Sequence, residues 1–498
     1  MESPTESHDK KMGVSNAVTP DAHPEVAGGI IAHAVASNGN VLDEGLQRGL
    51  KGRHLQMIAF GGVVGASIWY GTGTAVASSS PLGALICFTI IGIDVFFVMQ
   101  ALGEMSTLLP IPGAFIEMSG PWAFYQTVSL MGVVVYGEIE FFLASWKLFC
   151  VLGGFLVAIL IDTRGIGGEY IGFRYWKTPG PFANGINGFA QTFLLAAVYY
   201  CGTEMLALTA AESRNPARDL PKAIKQTFWR ILIIFIGLVF FAGLLVPSDS
   251  DELLSADTKT GKSPWTIVLG QAGWPGAGSL VNVVMLTAQF SSINSAIYVA
   301  SRSLVTLAKT GRAPKIFGKT TKNGTPVNAI LISNFLGLLA LLNITAGAGK
   351  VFTYLIDIAG AATFIAWAFI GVTHVRFRNA WVLQGNSVSN LPYKAVLYPY
   401  GTYFVVGLNI FLVVISGYGT FIGGFDVVNF VFNYIVLVIF VVLYVFWKVV
   451  KKTKWVKLVE IDLQSGRRDY THLNVEMSGV EGTGKRPWWI EAKRWVVG

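Results

Sequence analysis

The stretch RHLQMIAFGGVVGASIWYGTGT, residues 53–74, decides the fold. It begins as an apolar helix and then sets Gly61, Gly62 and Gly65 in mid-segment, where each glycine costs roughly 1 kcal/mol relative to alanine in a helix. Hydrocarbon offers no partner for freed N–H and C=O groups, so irregular backbone at membrane depth survives only where it is buried in protein or lines a water-filled cavity. A helix broken here predicts a polar site near the bilayer midplane.

The rest of the composition agrees with a membrane setting. The 498 residues are 53% hydrophobic and 13% charged, with 56 glycines, a profile of a polytopic all-α membrane protein rather than of soluble domains. Its net charge of +8 gathers in the tails and in a few connections, so it speaks to orientation and not to nucleic acid. The three cysteines, Cys87, Cys150 and Cys201, all lie in apolar runs. They offer neither a disulfide framework nor a metal-ligand spacing, and read as packing residues. No cofactor or metal is expected. Residues 1–50 read as a disordered tail without a signal peptide, 51–447 as the transmembrane domain and 448–498 as a second tail.

Apolar runs long enough to span fall at 57–79, 82–108, 142–161, 186–210, 229–247, 278–308, 326–345, 351–374, 400–420 and 424–447. A further run at 121–136 has sixteen residues before Gly137-Glu138-Ile139-Glu140 interrupts it. Sixteen residues at 1.5 Å reach about 24 Å of the roughly 30 Å required. Basic residues crowd the loop 212–230 (Arg214, Arg218, Lys222, Lys225, Arg230) and the loop 302–323 (Arg302, Lys309, Arg312, Lys315, Lys319, Lys322), which places both in the cytoplasm. The loop 248–264, with Asp249, Asp251, Glu252 and Asp257, reads as external. With both tails inside, these loops alternate correctly only if 121–136 does not cross.

Four segments carry a resemblance: residues 54–75, VMQALGEMSTLLPIPGAF at 98–115, YCGTEMLALTAAESRNPARDLPKAI at 200–224 and SINSAIYVASRSLVTLAKTGRAPKIF at 292–317. Together they resemble the fungal amino acid permeases of the amino acid, polyamine and organocation superfamily. The resemblance implies an inverted-repeat fold of five, five and two helices, its first and sixth helices unwound around the substrate. It also implies a third helix between PIPGAF and Ala123, and here Gly120 runs straight into Pro121. The first repeat is therefore incomplete, with ten or eleven spans instead of twelve.

Site residues follow, each with a plainer reading beside it. Gly61, Gly62, Gly65 and Ser67 resemble the unwound first helix, whose bare amides would hold a substrate carboxylate; Gly61 and Gly65 would equally serve close helix packing. Glu204 is an ionisable group in mid-span, functional by default. It is a candidate for the substrate ammonium or the coupling proton, or else a carboxylate accepting from freed backbone. The polar middle of one long helix, with Gln289, Ser291, Ser292, Asn294, Ser295 and Tyr298, puts Ser291 and Ser295 on one face with Tyr298 and Arg302. Interhelical hydrogen bonding would explain that as well as substrate contact. Asp357 is a second candidate for the proton. Phe193, Tyr199, Glu104 and Glu117 are gate candidates, the aromatics also fitting a packing role and the acids an exposed interface.

The function expected is a secondary transporter importing amino acids with protons through the plasma membrane. Neither a Walker A motif nor a paired-acid or histidine cluster points to an ATPase or a membrane enzyme. The partners expected are the amino acid, the proton, the bilayer and trafficking or ubiquitination machinery on the tails. A non-transporting sensor of the same family and an inactive truncated permease are the alternatives.

Overall fold

The computed structural model describes residues 52–65, 67–108, 133–166, 170–209, 216–255, 263–321, 324–335, 348–421 and 424–463. Among them every regular element is helical, and seven helices are long and apolar enough to cross a bilayer. Helix α1 (Gly52–Val63) and α2 (Ser67–Leu108) are the two sides of the glycine-rich interruption, whose described residues are Val64 and Gly65. Helix α2 holds two spans, because Ser80 leaves the helical region (φ 61°, ψ 172°) directly before Pro81. A residue preceding proline is pushed out of the α region by the ring, so the division between 57–79 and 82–108 is where SSSP places it. The freed groups are taken up by the segment ahead of the next span. Ser79 O accepts from Ala183 N at 3.4 Å, Ser78 O from Asn184 Nδ2 at 2.9 Å, and Gly83 N donates to Pro181 O at 3.3 Å.

Helix α3 (Val133–Asp162) corrects one expectation. Gly137-Glu138-Ile139-Glu140 does not separate two spans, since the helix runs through it unbroken. Glu140 points inward to partners on another helix, which removes the reason to end a helix there. The run 121–136 lies outside the described residues up to Gly132.

Next come α4 (Gly185–Tyr200), a non-helical turn at 201–204, and the short α5 (Met205–Thr209). They are followed by α6 (Pro216–Leu245), α7 (Pro264–Gln271), α8 (Ala277–Lys309), α9 (Val327–Phe335), α10 (Ala348–Leu383), α11 (Tyr400–Ile415) and α12 (Val427–Lys451). Helix α2 packs chiefly on α6 and α4, whereas α1 lies among α3, α6 and α8, so the interruption is enclosed on several sides.

At the other extreme α12 is peripheral, with Asn433 its one buried residue. Its ends are explicit in the sequence: Asp426 accepts from Asn429 N at 3.1 Å as a cap, and Lys448 and Lys451 sit at the negative end of the helix dipole. The chain then returns to α10. Gln384 Nε2 donates to Leu458 O (3.1 Å) and Ile461 O (2.8 Å), and Leu463 buries itself with Phe377, Ala380 and Trp381.

Candidate substrate and proton site at the first helix break

Helix α1 ends with its last carbonyls turned toward α3 and α8. Ser292 Oγ on α8 donates to Gly61 O at 3.0 Å and to Val64 O at 3.3 Å. Lys147 on α3 donates from Nζ to the same Gly61 O at 2.5 Å and to Ser292 Oγ at 3.2 Å. Only 2% of Lys147 is exposed. An ammonium thus stands at the negative end of a short helix, where a cation is favoured, and meets the acceptors the broken helix leaves bare. On the amide side, Val64 N and Gly65 N donate within the turn, to Phe60 O and Val63 O at 3.0 Å each.

Two helical turns before Lys147, and so on the same face of α3, Glu140 is fully buried. Ser291 Oγ donates a short hydrogen bond to its Oε1, and Asn294 Nδ2 donates to Oε2 at 3.3 Å. One turn earlier Tyr136 OH donates to Ser295 Oγ at 3.3 Å, and its ring stacks on Tyr298 with centroids 4.5 Å apart. Arg302 covers the other face of Tyr298 at 4.2 Å. The polar middle of α8 therefore serves α3, and Ser291 and Ser295 are both brought to the break. Gly61 is what lets the elements meet: a β-carbon there would stand 1.9 Å from Glu140 Oε1 and 2.9 Å from Ser291 Oγ. At Gly62 one would stand 2.7 Å from Met205 Sδ.

The second interruption, at Cys201–Glu204, is closed from within. Gly202 has φ +99°, a conformation that β-carbon-bearing residues rarely adopt. Glu204 Oε2 accepts from Gly202 N at 3.1 Å and from Thr203 Oγ1 at 3.4 Å, and Cys201 Sγ lies 3.6 Å from Oε1. The carboxylate thus does for its own turn what Lys147 and Ser292 do for α1. The two breaks abut, since a β-carbon at Gly202 would lie 3.5 Å from Val63 Cγ2. Beside the turn is a mostly apolar hollow of about 180 Å³, its open mouth included, lined by Met99, Leu102, Thr203, Leu206 and Leu220 among others.

Other candidates lie apart. Tyr199 is buried flat against α2, where a β-carbon on Gly71 would strike its hydroxyl, and Phe193 is half-buried against the same core. Asp357 is half-buried on α10, and among the described residues no hydrogen bond joins it to either break. Ser67 opens α2. Glu117 lies outside the described residues. Glu104 is not the exposed interface charge that was one reading of it, for it is completely buried. Arg378 Nε (2.8 Å) and His374 Nε2 (3.3 Å) of α10 meet its Oε1, while Ala395 N donates to Oε2 at 2.6 Å. Next to it Tyr393 donates to Gln100 Oε1. Burial holds the Tyr393 phenol above its ordinary value, the Gln100 bond opposing and the Glu104 charge adding to the effect, so it remains a donor.

Lys147 and Glu140 are the residues that reading the sequence passed over. A lysine inside FFLASWKLFCVLGG, seven positions after a glutamate, was the available signal, because an intramembrane charge is functional by default. Starting the span at 142 hid it by placing Glu140 in a loop.

The model of the amino acid permease family matches this sequence over residues 54–123 and 120–459. The chain belongs to that family. It is 37% identical to the general amino acid permease AGP3 of Saccharomyces cerevisiae, over 85% of each chain. An uncharacterized amino-acid permease of Schizosaccharomyces pombe is 36% identical, over 95% of this chain and 94% of that one. The lysine-specific permease of S. cerevisiae is 34% identical, over 86% and 80%. As a permease the chain is a multi-pass membrane transporter and not an enzyme. The family match also comes in two pieces that meet at 120–123, the Gly120-Pro121 junction. The alignment with AGP3 runs over 476 positions but takes in 85% of this 498-residue chain, so about fifty of its positions have no residue here.

Proposed function

We propose that this permease carries amino acids across the plasma membrane into the cytoplasm in symport with protons, and that Lys147 and Glu140 at the first helix break carry the coupling. The observation behind this reading is the buried Lys147 ammonium on the Gly61 carbonyl. Transporters built on broken helices use such freed carbonyls to coordinate the coupling cation. Here a lysine occupies that place, and a lysine can give up its charge by losing a proton while an inorganic ion can only leave. Deprotonated Lys147 would loosen its hold on Gly61 and Ser292 and free α1 to move; reprotonation would restore it. Glu140 lies on the same face of α3, two helical turns before Lys147.

The substrate would lie between the two breaks. Its carboxylate would face the N-terminal end of α2 at Ser67, next to Gly65, where the helix dipole is positive. Its ammonium would face the Glu204 turn. Cytoplasmic tails are supported by the basic loops 212–230 and 302–323.

The test is uptake of labelled amino acids by cells lacking their own permeases, at acid and neutral external pH, with and without a protonophore. Faster uptake in acid that the protonophore abolishes is expected, and uptake indifferent to both would overturn proton coupling. The two-piece family match favours a second reading, a chain that folds but does not transport. Inserting the corresponding AGP3 segment between Gly120 and Pro121 separates the two: uptake that appears only after insertion supports the second.

A further inference from the structure

Helix α2 carries a second buried acid that neither break uses. Asp94 and Asn409 of α11 are both completely buried. Asn409 Nδ2 donates to Asp94 Oδ2 at 2.8 Å and to Val405 O, one turn back on α11, also at 2.8 Å. A primary amide has two N–H donors, and both are now spent. The bond to a backbone carbonyl also fixes which end of the amide is nitrogen, because turning it over would set two acceptors against each other. That leaves Asp94 Oδ1 and Asn409 Oδ1, one acceptor on each side chain, each buried with no donor among the described residues.

Among the described residues the surroundings supply no cation. His374 and Arg378, which α10 brings to α2, are engaged by Glu104, ten residues further along α2 and about 15 Å away by the helical rise. Arg230 of α6 donates to Gln56. Helix α4 contains no charged residue, and the titratable groups of α11 are Tyr400 and Tyr403. Ile91, Val95, Val405 and Leu412, all core residues, make up the apolar setting. A carboxylate here would be a charge in the bundle interior held by a single N–H, an arrangement membrane interiors penalise heavily.

One proton resolves both vacancies. On Asp94 it turns an acceptor into a donor, and the acceptor without a donor is the carbonyl oxygen of the same Asn409. Acid and amide then exchange two hydrogen bonds and no charge remains. We propose that Asp94 is a neutral carboxylic acid with a resident, untransported proton, and that with Asn409 it forms an acid–amide clasp joining α2 to α11 within the bilayer. It is distinct from the coupling proton assigned above to Lys147 and Glu140.

Infrared spectroscopy on the full chain in nanodiscs tests this without any need for transport, so its failure is separable from failure of the symport reading. The expected result is a protonated-carboxylic-acid C=O band that persists from acid to mildly alkaline buffer and disappears in Asp94→Asn. Asp94→Asn keeps a donor and an acceptor in the same shape, so its thermal midpoint should match the parent. Asp94→Leu and Asn409→Leu should each lower it, and the double leucine variant should recover part of the loss, since no orphaned polar group remains. A parent band that titrates away across that range, or no band that Asp94→Asn removes, would overturn the proposal. Should the leucine variants fail to fold, the band and Asp94→Asn still decide it.

Discussion

The two interrupted helices of this permease solve one problem in opposite ways. At Cys201–Glu204 the loose backbone is satisfied by a side chain of the same turn, Glu204 reaching back two residues to Gly202 N. At the end of α1 the loose carbonyls of Gly61 and Val64 are satisfied from outside, by Lys147 on α3 and Ser292 on α8. A turn that closes on itself keeps its shape whatever its neighbours do. A turn held by other helices is hostage to them, and a protonation event on the holder reaches the backbone directly. On the proposed function, the difference puts switching at the first break and shape at the second.

The largest expected effect is therefore at Lys147. Lys147→Ala leaves Gly61 O with one donor fewer and a cavity where the buried side chain stood; truncating a large buried side chain costs about 2–5 kcal/mol. Uptake should vanish, and the thermal midpoint of the purified protein should fall by the largest margin of any variant here. Lys147→Arg should not rescue, because a planar guanidinium neither fits the ammonium position nor gives up a proton. Gly61→Ala comes next: its β-carbon would collide with Glu140 Oε1, and overpacking of this kind costs about 1–3 kcal/mol. Gly153→Ala, on the same α3 but with nothing within 4 Å, should leave stability unchanged or slightly raised in the same thermal assay.

Glu204→Gln should matter less. The amide carbonyl can still accept from Gly202 N, so the loss is about 1 kcal/mol, with uptake reduced several-fold and its pH profile unmoved. A pH profile that collapses in Glu204→Gln while Lys147 variants keep theirs would invert the comparison. Smallest of the losses is that of Ser292→Ala, which removes one neutral donor shared by two carbonyls, about 0.5 kcal/mol and visible as a slight drop in the thermal midpoint.

What the sequence disclosed follows the same division. Gly65, the SSSP at 78–81 and Gly202 with Glu204 mark irregular backbone, whereas Gly61 and Gly62 stay inside α1 and serve close packing. Glu204 was legible as a site because Cys201, Gly202 and Thr203, which meet it, are its neighbours, although Trp367 reaches it from α10. Lys147, Glu140 and Asp94 were not, and Glu104 was legible as a gate candidate but not as a buried one, because their partners lie from tens to hundreds of positions away and a charge on an apolar helix does not announce what will meet it. The misread end of α3 shows the cost: a glutamate that looks like a helix boundary when its partner is unknown is a buried side chain when Ser291 and Asn294 face it. The serines of α8 were visible as a polar stripe, but whether they addressed substrate or another helix depended on α3.

Hydrogen exchange across the two breaks, measured by mass spectrometry on the parent and on Lys147→Gln, reads the central claim most directly, because amides flanking a break exchange by local opening. Peptides covering 57–72 should exchange about tenfold faster in the variant while those covering 199–209 stay as they were. Equal exchange of 57–72 in both proteins would mean that Lys147 does not hold the first break.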